Sequence, residues 1–276
     1  MKKNWILIIL LIIIISVLLS CSGYEKLLKS NDYNLKYRKA FEYYFKGDYT
    51  KAVTLFDQIA PFYRGTSKAD SVFFFQAMST FKQNDFILAG EYFQRFTEAY
   101  YKSPFLEDAF FYVGLCHYME SPRPELDQTE TEKAIESFNL FLIKFPESKY
   151  KERVLNLIKE LHEKLVEKSF LNAKLYFDLE DYRAAIISLN NSLMEYPESK
   201  YREEIQYLLF KSKYLLALNS IESKKAERFQ EAVDEYYSFI SEFPESKYKK
   251  EVQKMYNESL KYVKNQSDIK AENIKK

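Results

Sequence analysis

Phe145-Pro-Glu-Ser-Lys-Tyr150 recurs in the chain as Tyr196-Pro-Glu-Ser-Lys-Tyr201 and Phe243-Pro-Glu-Ser-Lys-Tyr248, at spacings of 51 and 47 residues. Proline cannot continue a helix and disfavours helical backbone in the residue before it. Serine is a preferred N-cap, so each hexapeptide predicts the end of one helix and the start of the next. Self-similarity at a period of tens of residues is typical of a repeat protein. The predicted caps are Ser148, Ser199 and Ser246.

A second pattern extends the repeat beyond the hexapeptides. An alanine recurs five times, at spacings of 37, 45, 51 and 47 residues, and a large apolar residue follows each alanine four positions later. This pattern resembles the second helix of the tetratricopeptide repeat. The alanines are Ala52, Ala89, Ala134, Ala185 and Ala232, and the large residues are Phe56, Phe93, Phe138, Leu189 and Tyr236.

The same register places a small residue near the middle of the first helix in four repeats. A small residue there lets the two helices of a pair approach closely. The sequence therefore predicts an all-α fold, an α-solenoid of five irregular tetratricopeptide helix pairs. The small residues are Ala40, Ala77, Gly114 and Ala173.

One long helix and two insertions explain the uneven repeat spacing. Residues 151–179 are predicted to form a single helix because apolar residues follow a helical stripe through them. The polar segments 120–129 and 219–225 are predicted to be loops, which either contact a partner or are tolerated at the surface. The apolar stripe consists of Val154, Ile158, Leu161 and Leu165.

The first twenty residues are predicted to be a signal peptide. Lys2 and Lys3 precede an apolar run from Trp5 to Leu19, which is shorter than the roughly 20 residues that span a membrane. The sequence Leu18-Leu19-Ser20-Cys21 resembles the bacterial lipobox, in which the cysteine becomes the mature N-terminus and carries acyl chains. Cys21 is thus the predicted lipid attachment site, with an uncleaved anchor helix as the alternative. Two acyl chains anchor a protein stably.

The charge of the mature chain argues against nucleic-acid binding, and its cysteine content argues against an internal disulfide. Loss of the two signal-peptide lysines changes 41 basic residues to 39, against 40 acidic ones, so the mature chain has a net charge of −1. Such a chain has no long-range field that attracts nucleic acid. If Cys21 is lipidated, Cys116 has no disulfide partner and is expected to be a small buried hydrophobe.

No catalytic or metal-binding motif stands out. The only histidines, His117 and His162, lie in different repeats, the first as a predicted packing residue and the second as a predicted solvated one. There is no closely spaced Cys/His set for zinc, no glycine-rich nucleotide motif and no G-x-S-x-G elbow. We therefore expect no enzymatic activity, no cofactor and no metal.

The first helices of repeats one to three carry the candidate binding site. Their outward positions in the tetratricopeptide register are aromatic or large and apolar throughout, which suits an extended or hairpin peptide with bulky apolar side chains. Two alternatives are open: a register error of one residue would place these side chains in the core, and a tight superhelix would close the groove. The candidates are Tyr37, Phe41, Tyr44, Phe74, Met78, Phe81, Phe111, Leu115 and Tyr118.

The lipobox, the five irregular repeats and their junctions together resemble the BamD family, lipoproteins of the outer-membrane β-barrel assembly complex. The resemblance covers the mature chain and includes segments 21–30, 61–66, 121–124, 174–176 and 222–225. It implies that the N-terminal repeats receive unfolded barrel precursors, whose last strand ends in an aromatic residue. It also implies that the C-terminal repeats dock on a BamA-like barrel subunit, at the periplasmic face of the outer membrane.

The resulting map divides the chain into a signal peptide (1–20), a lipidated linker (21–33), a peptide-binding half (34–150), a docking half (151–264) and a polar tail (265–276). A generic tetratricopeptide lipoprotein scaffold for envelope or cell-wall proteins is the alternative function. A glycan-binding uptake lipoprotein is disfavoured, because the only tryptophan lies in the signal peptide and cannot stack on a sugar.

Overall fold

The computed structural model describes residues 23–274, and the side chains of residues 23–264. Every regular element in these residues is a helix, and this part of the chain contains no strand, which confirms the all-α class. The predicted signal peptide and Cys21 lie outside the described residues. The helices are α1 (23–29), α2 (Tyr33–Phe45), α3 (Tyr49–Tyr63), α4 (Ala69–Lys82), α5 (Phe86–Ala99), α6 (Leu106–Glu120), α7 (Thr129–Lys144), α8 (Lys151–Asp178), α9 (Tyr182–Glu195), α10 (Arg202–Leu218), α11 (Glu222–Glu242) and α12 (Lys249–Ile274).

These helices form two compact units. The first contains the described residues up to Ser121 together with Thr129–Ile158, and the second contains Pro122–Gln128 and the residues from Lys159 onward. Consecutive helices pack against one another from α2 to α7 in the first unit and from α9 to α12 in the second. In the second unit Ala173 of α8 shares a core with α9. The pairs α2–α3, α4–α5, α6–α7, α8–α9 and α10–α11 are the five predicted repeats, an α-solenoid of tetratricopeptide helix pairs.

The five alanines that the sequence pattern singled out lie in the core of their repeats. All five alanines have no exposed surface, and the large residue four positions later is buried in each case. The close approach is tightest at Gly114 of α6, where an added Cβ would lie 2.5 Å from Cδ1 of Phe138 on α7. Glycine is thus required at this position by the ring of its partner helix.

The turn within a repeat also recurs. In α2–α3 it contains Gly47, with a φ of +81°, followed by Asp48, whose carboxylate accepts a hydrogen bond from the backbone N–H of Lys51 at 3.3 Å. A residue in the left-handed region ends the first helix, and the aspartate caps the second. The same order occurs at Asn84 (φ +62°) with Asp85 and at Glu180 (φ +61°) with Asp181.

The junctions between repeats share one hydrogen-bond pattern, even where the sequence lacks the hexapeptide. Oγ of Ser148 accepts from the backbone N–H of Tyr150 at 2.9 Å, and the N–H of Lys151 donates to the Ser148 carbonyl oxygen at 3.1 Å. The serine therefore binds a donor just before α8, which corrects the prediction that it caps the first turn itself. The other hydroxyl acceptors are Thr66 for Lys68 N–H (3.3 Å), Ser103 for Phe105 (3.2 Å), Ser199 for Tyr201 (3.1 Å) and Ser246 for Tyr248 (3.0 Å).

The side chain of the last residue of each junction packs against the first helix of the repeat that has just ended. The ring of Tyr150 stacks on Phe111 of α6, with 4.1 Å between centroids and 6° between planes. The first junction uses a cation instead, since Nζ of Lys68 lies 4.7 Å from the ring centroid of Tyr37. The other stacked pairs are Phe105 on Phe74 (4.6 Å), Tyr201 on Phe170 (4.4 Å) and Tyr248 on Tyr207 (3.9 Å).

Two predicted segments differ from expectation. The loop predicted at 219–225 is limited to residues 219–221, because α11 begins at Glu222 and its first turn contains a Lys225–Glu222 ion pair at 3.1 Å. Residues 265–274 of the polar tail continue the backbone of α12. The long helix is confirmed at Lys151–Asp178, and residues 121–128 are non-helical as predicted.

The segment predicted as a linker, 21–33, includes helix α1, which packs on the first repeat. Leu27 is buried there. The ammonium of Lys36, itself buried, donates to the carbonyl oxygen of Leu28 at 2.9 Å and to Oε1 of Gln58 at 2.7 Å. A cation at the end of a helix interacts favourably with its dipole, so α1 is held by both charge and apolar contact.

Gly114→Ala is expected to lower the free energy of unfolding by about 1–3 kcal/mol, because the new methyl group collides with the Phe138 ring. Urea unfolding followed by circular dichroism measures the change. Gly90→Ala in α5 is the matched control: its Cβ would meet Cβ of Cys116 at 3.3 Å and Sγ of Cys116 at 4.0 Å. A Gly114→Ala protein as stable as the parent would show that α6 and α7 do not approach this closely.

Candidate peptide-binding surface

None of the nine predicted groove residues is an exposed side chain. Phe74, Met78, Phe111 and Leu115 are buried, with exposed fractions of 5%, 6%, 1% and 7%. This corrects the expectation that they form part of an open surface. The other five are half-buried and stay candidate contacts: Tyr37, Phe41, Tyr44, Phe81 and Tyr118.

The buried phenylalanines are covered by the junction that follows their repeat. Phe74 packs against Phe105 and lies within 6 Å, between ring centroids, of both Phe93 (5.9 Å) and Phe96 (5.7 Å). Phe111 is covered by Tyr150 in the same way. The tetratricopeptide register thus identified the correct helix face, but the neighbouring junction occupies part of that face.

An aromatic cluster between α2 and α4 remains accessible. We define the α2–α4 aromatic patch as Phe41, Tyr44, Phe45 and Phe75. The Phe75 ring lies 5.0 Å from Phe41, 4.8 Å from Tyr44 and 6.0 Å from Phe45, between centroids. Phe45 is 73% exposed and is the most exposed phenylalanine in the described chain. Such a cluster offers apolar area and ring edges to a partner without needing to rearrange.

The patch is uncharged at neutral pH. Burial, with the neighbouring hydroxyls of Tyr49 and Tyr112, raises the pKa of Tyr44 to about 12. The Tyr44 side chain therefore stays a neutral phenol. The nearest acidic group on α2, Glu42, is already paired with Lys39 at 2.7 Å and Lys46 at 2.6 Å. The patch thus favours apolar side chains over charged ones.

Sequence reasoning missed Phe45 and Phe75, which complete the patch. Both directly follow a predicted candidate, Tyr44 and Phe74 respectively. The run Phe73-Phe74-Phe75 was the available signal, because three successive rings on one helix cannot all face the same core.

Two histidines and one cysteine are among the described side chains that could act as a base or a nucleophile. Nδ1 of His117 lies 2.7 Å from Oε2 of Glu130, and both side chains are half-buried. Cys116 is buried as expected, and His162 is exposed. Among the described residues, no group of three or more His, Cys, Asp or Glu side chains is placed to hold a metal ion. Within the same residues, no helix is both long and apolar enough to cross a membrane.

Comparison with known families identifies the family to which this chain of helix pairs belongs. The model of a family described as YfiO, outer membrane lipoprotein, matches residues 29–227 and 173–266, which include parts of both compact units. The chain belongs to the YfiO family of outer membrane lipoproteins. YfiO is the BamD family, so the resemblance read from the lipobox and the junctions is confirmed. No curated protein matches the chain.

Solved structures with a similar helical arrangement are tetratricopeptide domains. The TPR2AB domain of yeast Sti1 in complex with pHSP90 is 13% identical and has a TM-score of 0.38, covering 82% of this chain and 98% of that one. The TPR domain of P58(IPK) is also 13% identical, with a TM-score of 0.41 and coverage of 88% and 68%. At TM-scores this low, the likeness adds nothing to the helix pairs described above.

Phe74→Ser and Phe45→Ser should separate core from surface. Loss of the buried ring of Phe74 should lower the free energy of unfolding by about 3–5 kcal/mol, whereas the exposed Phe45 should change it by no more than about 0.5 kcal/mol. Urea unfolding of the two variants and the parent provides the measurement. Equal stabilities would show that Phe74 is not enclosed by Phe105.

Proposed function

We propose that this YfiO-family chain is a non-enzymatic, lipid-anchored subunit of the outer-membrane β-barrel assembly complex. In this role it receives unfolded barrel precursors and docks on a BamA-like barrel subunit. Family membership supports the general assignment. The proposed capture of barrel precursors rests on the α2–α4 aromatic patch, with Phe45 largely exposed at its edge.

The chemistry of the patch suits an unfolded barrel strand. The outward face of such a strand carries apolar and aromatic side chains at alternate positions. The rings of Phe41 and Phe75 lie with their centroids 5.0 Å apart in an edge-to-face arrangement. Such a pair offers both a ring edge and a ring face to the side chains of a strand. Because the patch carries no charge, it would accept many different strands that share only this pattern. The half-buried Tyr37, Phe81 and Tyr118 would extend the contact along the first unit.

Lipidation at Cys21 would confine this surface to the periplasmic face of the outer membrane. Because α1 begins within two residues of Cys21 and packs on the first repeat, only a short segment separates the lipid from the patch. Confinement raises the effective concentration of a captured strand at a membrane-embedded partner. Delivery of this kind needs no chemical energy source.

The docking half, residues 151–264, is assigned to the BamA-like subunit through the family resemblance. Its exposed apolar side chains offer contact area for such a partner. Leu175, Leu179 and Met194 are 53%, 67% and 81% exposed, respectively. Single exposed apolar residues are ordinary on a protein surface, so co-purification of a barrel protein must support this step.

Depletion of the protein in its native host should lower the amount of assembled outer-membrane barrel proteins. Re-expression of the parent chain should restore them, whereas Phe45→Ser should restore them poorly, because removal of an aromatic anchor typically weakens binding by about 2 kcal/mol, or roughly 30-fold. Heat-modifiable mobility of the barrel proteins on gels measures their assembly.

Ile187→Ser, which removes a similarly exposed apolar side chain from α9, is the matched control and should restore assembly fully. Unchanged barrel levels after depletion would contradict the assembly role and favour a general scaffold for envelope proteins. Equal rescue by Phe45→Ser and Ile187→Ser would show that the patch takes no part in barrel assembly.

Thiol counting tests the anchor. Burial, with a smaller contribution from Glu120, raises the pKa of Cys116 to about 12, so this thiol stays protonated and shielded in the folded protein at pH 8. If Cys21 carries a thioether-linked lipid, Ellman's reagent should detect no rapidly reacting thiol in the folded protein and one per chain after denaturation. Two thiols per denatured chain would show that Cys21 is unmodified.

A further inference from the structure

Two clefts adjoin at the second junction, where they share lining residues. The first, of about 500 Å³, lies among α4, α5 and the α3–α4 junction, and the second, of about 320 Å³, lies between the first and second junctions. Ala99 and Tyr100 line both. We call the combined cleft the junction trough. It lies entirely within the first unit and shares no lining residue with the α2–α4 aromatic patch.

The first part of the trough has aromatic walls. The Tyr100 ring lies 5.6 Å from Phe73 and 5.0 Å from Phe96, between centroids. Tyr92 completes the wall. Within the described chain, the hydroxyl groups of Tyr92 and Tyr100 have no hydrogen-bond partner, so each is free to bind a polar group of a ligand. This part therefore suits an aromatic or large aliphatic side chain attached to a polar backbone.

The rim of the trough is positively charged. Arg64 and Arg95 line the first part and Lys102 lines the second, and all three are exposed. Within the described residues, Arg95 pairs with the carboxylate of Glu91 at 3.4 Å, and the two side chains are 73% and 63% exposed, so solvent weakens this pair.

The acidic group in the second part is already engaged. The two oxygens of Asp70 accept hydrogen bonds from Oγ of Ser103 at 2.9 Å and from the backbone N–H of Ser71 at 2.7 Å. Asp70 keeps its negative charge, and it is one carboxylate against three cations, Arg64, Arg95 and Lys102, in the lining of the trough. Guanidinium groups bind carboxylates bidentately, which gives them a geometric preference for acidic side chains.

We propose that the junction trough binds an internal segment of a partner protein in which acidic residues flank an aromatic one. The aromatic ring enters the first part between Phe73, Tyr92 and Tyr100, and the acidic side chains reach Arg64 and Arg95. The second part, beyond Tyr100, receives the continuing chain. Two adjoining clefts favour an extended peptide, because a small metabolite would fill only one. This site goes beyond the proposed capture of barrel strands, since its charge selects a different class of sequence.

A labelled peptide tests the proposal directly. The probe is an acetylated and amidated peptide with Glu-Phe-Glu at its centre and Gly-Ser flanks, titrated with the full-length protein in detergent and followed by fluorescence anisotropy. Saturable binding is expected. Replacing the two Glu by Gln, or the Phe by Ala, should weaken binding at least tenfold, because each change removes one of the two recognised features.

Protein variants locate the binding. Arg64→Glu combined with Arg95→Glu should weaken binding at least tenfold, and Ala99→Trp, which fills the shared part of the trough, should abolish it. Arg183→Glu combined with Lys254→Glu, at two exposed positions on α9 and α12, changes the net charge equally and should bind as the parent does. Phe45→Ser should also bind normally, which separates the trough from the aromatic patch. Circular dichroism and urea unfolding confirm that each variant is folded.

Three results would overturn the proposal. The first is the absence of saturable binding, or equal binding of the Gln-containing probe. The second is unchanged binding to Ala99→Trp, which would place the peptide elsewhere on the protein. The third is binding only of a peptide with a free C-terminal carboxylate, which would make the trough a site for chain ends.

Discussion

The stacking of one junction residue on the first helix of the preceding repeat is the interaction on which the array of repeats depends. Tyr150, Tyr201 and Tyr248 lie face to face with rings of the preceding first helices, at 4.1, 4.4 and 3.9 Å. A helix pair cannot bury its own apolar face alone, so each repeat needs its neighbour. The stacked ring provides this cover at the point where the chain turns, and the serine beside it satisfies the backbone donor that the turn would leave unpaired. The same contact decides which aromatic residues can reach a partner.

Sequence alone predicted the regular part of this arrangement. The alanine column and the three hexapeptides fixed the helix pairs, because small buried residues and helix-ending prolines leave a local pattern. The sequence identified the first two junctions, at residues 63–68 and 100–105, only as less regular repeat ends. They lack the Pro-Glu-Ser-Lys sequence and retain only a hydroxyl residue and a ring or cation, in Thr66 with Lys68 and Ser103 with Phe105. Their equivalence lies in the contacts they make, which no short sequence pattern expresses.

The candidate site shows a second limit. Helical periodicity identifies the face on which Phe74 and Phe111 lie, but it does not reveal how far the next repeat covers that face. The covering residues, Phe105 and Tyr150, follow 31 and 39 positions later in the chain. Burial was therefore decided by tertiary packing. What remains accessible is the α2–α4 aromatic patch, where Phe45 lies beyond the reach of the stacked junction.

The first unit thus presents two surfaces of different chemistry: an uncharged aromatic patch and a positively charged trough. Photocrosslinking in living cells tests most directly whether the patch receives barrel precursors. With Phe45 replaced by p-benzoylphenylalanine, brief irradiation should attach newly made outer-membrane barrel proteins to this chain, and the same substitution at Ile187 should not. Absence of barrel precursors from the Phe45 adduct, or equal crosslinking at both positions, would contradict the account.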